Sequence, residues 1–300
     1  MHEVETWSLE LLGTKTTEVL FGGGHLSAVY GVRLEDGTTA ALKARLPQPR
    51  IRQCVDVQWR LWETGFPCPK PLAGPTVIGE KMVTAEEWVP GGAQLARDEA
   101  APSRFADLLA KLIGSAPSPG EIESLDPAPP WIAWDHHDGG LWPRPDDADT
   151  DLNAIDGPRW LDEAAMAIRD RLAEYRAEVV VGHGDWESQN IRWIGTRPHV
   201  VYDWDSVVSR PEAALAGVAA AVFPASGKPG AATVEETRRF IDAYQDVRGI
   251  TWSRDHIAAA WAAGAWVRAF NAKKRVARRL PSDPDLTPEE AAERLRRGRP

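Results

Sequence analysis

The string His183-Gly184-Asp185-Trp186-Glu187-Ser188-Gln189-Asn190 is followed, after an intervening hairpin, by Val201-Tyr202-Asp203-Trp204-Asp205. Two carboxylates and an amide oxygen are thereby expected near one another. Mg2+ prefers hard oxygen ligands and keeps several waters, so a site supplied by Asn190 and Asp203 and completed by phosphate oxygens suits it. Phosphoryl transfer asks a protein mostly to position and to neutralise. It needs one carboxylate to orient the acceptor hydroxyl and take its proton, and ligands to hold the metal. Asp185, Asn190 and Asp203 fill those roles. Taken alone, the motif also fits a pair of acidic turns bounding a hairpin.

A second group lies upstream. Gly22, Gly23, Gly24 and Ser27 sit between two strand-like runs, where glycines let backbone N–H groups approach phosphate oxygens with no Cβ in the way. Ala40-Ala41-Leu42-Lys43-Ala44 then reads as a strand with one inward lysine. Glycine runs are mostly tight turns, and a strand lysine is more often a solvated edge residue. The order of glycine loop, lysine and aspartate motifs along the chain is what argues for function.

The elements that must position these residues follow from periodicity and punctuation. After a helical start, strands are predicted over 18–21, 28–34 and 38–44, then a helix over 50–64 stopped by Gly65, Pro67, Pro69 and Pro71. A further strand over 82–89 precedes Pro90-Gly91-Gly92, where a lobe boundary is placed. Helices are predicted near 99–114, 158–177, 211–221, 233–247 and 253–279. A small β island carries the aspartate motifs: 178–181, 190–193 and 199–202. The segment 117–158, rich in Pro and Asp, is long for a plain connection and is a candidate lid or substrate wall. Residues 281–300 read as a short terminal helix with a basic end.

His183-Gly-Asp185 with Asn190 and the Asp203-Trp-Asp205 block resemble the aminoglycoside phosphotransferase family, relatives of protein kinases on the small-molecule branch. The resemblance implies a bilobal, protein-kinase-like α+β fold: a small antiparallel-sheet lobe over residues 1–90 and a mainly helical catalytic and substrate-binding lobe over 91–300. It implies ATP between the lobes, with Asp185 as the catalytic carboxylate, Asn190 and Asp203 as Mg2+ ligands and His183 as support for the loop. Lys43 would hold the α and β phosphates. Ala85-Glu86-Glu87-Trp88-Val89 resembles the lobe connection, with Glu87 and Val89 the candidate adenine-reading positions. Kinases usually carry a helix glutamate that pairs with the strand lysine, but Arg52-Gln53-Cys54-Val55-Asp56 stands there, leaving Gln53 or Asp56 as the substitute. Trp186 and Glu187 are bulky for the catalytic loop.

The acceptor is expected to be a hydroxyl of a small molecule. Asp135, Asp138, Asp146, Asp147, Asp149, Asp151 and Asp156 in the long segment, with Glu187 and Asp205 as candidate substrate contacts, would favour a cation such as an aminoglycoside or amino sugar. Acids beside Pro and Gly are also ordinary turn residues. Trp131, Trp134 and Trp142 could form a stacking wall, although with 14 Trp in the chain several belong to the core. Neighbouring His136 and His137 have no metal-ligand spacing. The alternatives are a kinase of a neutral sugar, amino alcohol or nucleoside, a nucleotide-binding pseudokinase serving as an interaction module, and a protein kinase.

The chain has 300 residues, 43% hydrophobic and 26% charged, with a formal net charge of −9. Disorder is excluded by composition, and the charge disfavours nucleic acid and anionic lipid as partners. Two cysteines without metal spacing fit a reducing cytoplasm. The longest apolar run, 213–225, is too short to span a bilayer. The basic residues that end the 253–279 helix are expected to complement its dipole, and the Arg-rich tail to be solvated.

Overall fold

The structure, a computed structural model, describes residues 2–24, 26–226, 230–280 and 286–297. It opens with helix α1 (His2–Leu12), then strands β1 (Thr16–Gly23), β2 (Ala28–Leu34) and β3 (Thr39–Arg45). Helix α2 (Ile51–Glu63) interrupts them before β4 (Pro71–Ile78) and β5 (Lys81–Glu87). These strands form one antiparallel sheet in the order β1-β2-β3-β5-β4. Beyond it the chain is mainly helical: α3 (Ala101–Ser115), α4 (Arg159–Glu174), α5 (Glu212–Val222), α6 (Val234–Arg248), α7 (Arg254–Ala277) and α8 (Pro288–Arg297). Among the described residues no helix is long and apolar enough to cross a membrane.

Strand β4 is the main addition to the sequence-based expectation. Its Pro71 and Pro75 disguise it as a proline-rich stop, but proline is tolerated at a sheet edge, where a missing N–H breaks no inner ladder. The edge position and two register shifts against β5 accommodate both. A second unexpected strand, β9 (Val207–Pro211), pairs antiparallel with β6 (Val179–His183). The hairpin β7 (Ile191–Ile194) and β8 (Arg197–Val201) lies between them in sequence. The β6–β9 pairing sets the end of β6 beside the start of β9, and His183 at the end of β6 meets the Tyr202 carbonyl just after β8, so the two aspartate motifs start side by side.

Two apolar cores hold these parts. One fills the space between α1 and the sheet, with Val4, Trp7, Val32, Leu42 and Val83 buried. The other runs through the helices and also takes in Cys54, Val57 and Leu61 of α2. That helix, although enclosed in sequence by strands, therefore ties the sheet to the helical part.

Helices α5 and α7 cross at two glycines. A Cβ on Gly217 would stand 1.9 Å from the Ala260 carbonyl oxygen, and one on Gly264 would stand 2.6 Å from the Gly217 carbonyl oxygen. Backbone cannot yield as a flexible side chain can, so Gly217→Ala must separate the helices and open a fully packed core. We expect a loss of about 2 kcal/mol or more, read as a lowered urea midpoint. An unchanged midpoint would contradict this packing.

The segment 117–158 carries only short 3-10 turns, yet it is fastened rather than free. Asp135 pairs with Arg210 at 2.8 Å, and Asp147 with Lys274 at 2.5 Å and Arg278 at 2.7 Å. Trp142 is buried against Trp266, with its indole N–H on Asp162. The basic end of α7 thus does more than complement a dipole: Lys273 Nζ reaches the Ile155 carbonyl at 2.9 Å and Asp162 at 3.0 Å. The basic tail differs from expectation as well. Arg294 is fully buried, donating to Glu290, Thr237 and the Ala232 carbonyl. Arg296 and Arg297 pair with Glu293 near the surface, and Arg299 lies outside the described residues.

Candidate active site

Asp185 follows β6 and Asn190 closes the turn before β7. The Asn190 amide nitrogen donates to Asp185 Oδ2 at 2.8 Å and to the Asp185 carbonyl at 3.0 Å. This uses the nitrogen end of the amide, and among the described residues its oxygen is left without a partner. Asp203 follows β8 in a left-handed conformation, φ 63° and ψ 49°. Few side chains adopt it; aspartate is one that does, because its short polar group bonds locally. Here the Ser206 hydroxyl donates to Asp203 Oδ2 at 3.0 Å.

His183 joins the two turns. It is buried, its Nδ1 accepts the Asp185 N–H at 3.2 Å, and its Nε2 meets the Tyr202 carbonyl at 3.0 Å. One acceptor and one donor describe a neutral imidazole. Burial, outweighing Asp203 and the Tyr202 hydrogen bond, lowers its pKa accordingly. Gly184 N–H donates to the Ser206 carbonyl at 2.7 Å, and the Trp131 indole to the Gly184 carbonyl at 2.9 Å. Of the three tryptophans considered for a stacking wall, only Trp131 thus touches this loop; Trp134 and Trp142 are buried.

Burial, with Asp203 next, raises the Asp185 carboxyl to about 7, against the Asn190 hydrogen bond. Glu187, shifted upward by burial and then by Asp185, accepts from Gln189 at 2.5 Å. Trp186 does not crowd the loop: it is buried, with its N–H on the Phe105 carbonyl. Of the acids in the 117–158 segment, Asp146 is the one whose charge reaches Asp185.

Lys43 enters from β3 and is buried. Burial opposes its charge, but Glu86, Asp205 and Asp203 outweigh it and raise its pKa. The glycines Gly22, Gly23 and Gly24 are exposed at the β1–β2 turn, with Ser27 half-buried beside them. A Cβ on Gly24 would stand 1.8 Å from the Ser27 carbonyl oxygen, so the turn closes only with glycine there. Glu87 ends β5, and the Val89 carbonyl accepts from the Tyr202 hydroxyl, which ties the connection to the β8 end.

Residues 17–254 match the phosphotransferase enzyme family, APH. The chain belongs to that family. This APH-family chain is thereby placed among the phosphotransferase enzymes. No curated protein matches it significantly. Among solved structures it is similar to amicoumacin kinase hAmiN in complex with AMP-PNP, Ca2+ and Ami, at 13% identity and TM-score 0.63, over 93% of this chain and 86% of that one. It is also similar to spectinomycin phosphotransferase APH(9)-Ia in complex with ADP and spectinomycin, at 11% identity and TM-score 0.57, over 98% and 93%. A choline/ethanolamine kinase family protein from Mesorhizobium loti shows 17% identity and TM-score 0.56, over 94% and 86%. At these identities the likeness concerns the fold, and it agrees with the kinase-like α+β architecture.

Several partners in this phosphotransferase escaped the sequence reading. Gln53 exchanges hydrogen bonds with Glu123, and Asp56 pairs with Arg60 on its own helix. Neither meets Lys43, whose Nζ lies 3.1 Å from Glu86 Oε1 on β5. Asp205 lies on Arg45, Nε to Oδ2 2.8 Å, rather than standing free for an acceptor. Burial raises its pKa first, with Arg45 and Lys43 opposing. Arg50, buried at the start of α2, donates to the Asp205 and Val207 carbonyls and so fixes the loop after Asp203 to that helix. The doublet Glu86-Glu87 was the available signal: in a strand, neighbouring side chains face opposite sides, so one of the two had to point inward.

Proposed function

We propose that the protein transfers the γ-phosphoryl group of ATP to a hydroxyl of a small molecule. Asp185 is the base, Asn190 and Asp203 are the Mg2+ ligands, and His183 supports the loop. The observation that carries this reading is the single hydrogen-bonded unit of Asp185, Asn190, His183 and the Asp203 turn, facing the charge of Lys43. The Asn190 oxygen and an Asp203 oxygen suit a hard divalent cation. Among the described residues no group of three or more His, Cys, Asp or Glu could hold a metal, so such an ion would complete its shell with phosphate and water. When bound, Mg2+ would neutralise charge on the phosphates.

Lys43, with Gly22, Gly23, Gly24 and Ser27 above it, would hold the phosphates, and Glu87 and Val89 would read the adenine edge in a cleft between lobes divided near Pro90. Asp185 takes the hydroxyl proton as the acceptor oxygen bonds to the γ-phosphorus and ADP leaves with the bridging oxygen. Acceptors carrying amines fit the acidic surroundings of Asp185, Glu187 and Asp146, which favours an aminoglycoside or amino sugar over a neutral metabolite. The pairing of Lys43 with Glu86 supports an active enzyme over a pseudokinase.

ADP release with Mg-ATP across aminoglycosides, amino sugars, neutral sugars, amino alcohols and nucleosides tests this reading. Stimulation by at least one amine-bearing class is expected. Stimulation confined to neutral sugars or nucleosides would overturn the cationic acceptor, and none at all with ATP bound would return the pseudokinase.

A further inference from the structure

The strand lysine has a partner that no helix supplies. In the β3–β5 ladder Lys43 stands opposite Thr84, so Glu86, two residues on, lies diagonally across the same face. Glu86 Oε1 holds Lys43 Nζ at 3.1 Å, and Glu86 Oε2 accepts from the Gln58 amide at 3.0 Å. The same amide nitrogen donates to the Pro69 carbonyl at 2.9 Å. Lys43, Glu86 and Gln58 are each less than a tenth exposed. A buried carboxylate is stable only with its oxygens satisfied, and here both are, by one cation and one neutral amide. Lys43 has three N–H donors, so the bond to Glu86 leaves two for an anion in the cleft.

We propose that Glu86 is the positioning residue for Lys43 and that Gln58 holds it in place, so that the lysine anchor belongs to the sheet and α2 contributes only a neutral brace. The inference rests on the reading of Lys43 as the phosphate-binding lysine. Anchoring within one sheet has a physical consequence. Glu86 and Lys43 move together on hydrogen-bonded strands, so a shift of α2 loosens Gln58 without separating the ion pair. The carboxylate is also placed where β5 runs into the Glu87–Val89 connection, which joins the lysine directly to the connection rather than through the helix.

The test moves the carboxylate from the strand to the helix at nearly constant volume. Lys43→Ala, Glu86→Gln and the double variant Gln58→Glu/Glu86→Gln are compared with the parent. ADP release from Mg-ATP is followed with and without an acceptor, ATP affinity by displacement of a trinitrophenyl-ATP probe, and folding by thermal melting. Glu86→Gln is expected to lower kcat about 10- to 100-fold, because a mispositioned group costs rate before affinity, while ATP affinity stays within about threefold. The double variant, which keeps one carboxylate in the Gln58–Glu86 pair beside the lysine, is expected to regain most of that loss. Parental kcat in Glu86→Gln would overturn the proposal. So would equal losses in Glu86→Gln and the double variant with native melting, which would mark Glu86 as a packing residue. Failure of the underlying reading looks different: Lys43→Ala would then bind and turn over ATP as the parent does.

Discussion

Asp185→Asn is expected to lower acceptor-dependent ADP release about 10^2- to 10^4-fold while nucleotide binding stays near the parental level. Asparagine keeps the volume and can still accept the Asn190 amide bond now made at 2.8 Å, so the loop has little reason to move. What it loses is the ability to take a proton from an attacking hydroxyl. In the proposed reading phosphates and adenine are held elsewhere, by the β1–β2 turn, Lys43 and the Glu87–Val89 connection, so affinity for ATP should survive. Paired measurements of turnover and probe displacement, with melting as the folding control, decide the matter. Parental turnover would remove Asp185 from the chemistry, and a joint loss of turnover, binding and folding would make it a structural residue.

Asp203→Asn is expected to reduce turnover by about 10^2-fold or more and to raise the Mg2+ concentration needed for half-maximal rate, because several kcal/mol of charge stabilisation depend on an anionic ligand. The choice of asparagine isolates the charge. It tolerates the left-handed backbone found at this position, and its oxygen can accept from Ser206 as the carboxylate does. Asp205→Asn serves as the contrast, since that carboxylate lies 2.8 Å from Arg45 and not in the Asp185–Asn190 unit. It is expected to leave the Mg2+ dependence in place. Titrating Mg2+ at fixed ATP in both variants separates the two acids, and an unchanged Mg2+ requirement in Asp203→Asn would contradict its role as a ligand.

Much of this arrangement is readable in the amino-acid sequence. Glycine punctuation and apolar alternation locate β1 to β3, and the 3.6-residue rhythm with its stops locates the long helices. The motifs carry chemistry at short range, where spacing along the chain implies proximity: Asp185 and Asn190 are one turn apart. The unread parts depend on contacts between residues far apart in sequence. The sequence points to α2 for the anchor of Lys43, but local rhythm cannot say that Gln53 turns to Glu123 while Gln58 turns to Glu86. Nor could composition reveal that Asp135 and Asp147 hold the 117–158 segment to Arg210, Lys274 and Arg278. Strand β4 was hidden by prolines that only an edge position tolerates, and knowing that position requires the whole sheet. Arg294 shows the same limit in reverse: an arginine in a charged tail reads as solvated until Thr237 and the Ala232 carbonyl are seen to close over it.

Phosphorus NMR of a reaction containing Mg-ATP and an amine-bearing acceptor tests the central claim most directly, because it reads the bond that forms. The account predicts a new phosphomonoester signal that grows with ADP, requires the acceptor and is absent in Asp185→Asn. Inorganic phosphate as the only new product, or an ester formed equally well by Asp185→Asn, would contradict it.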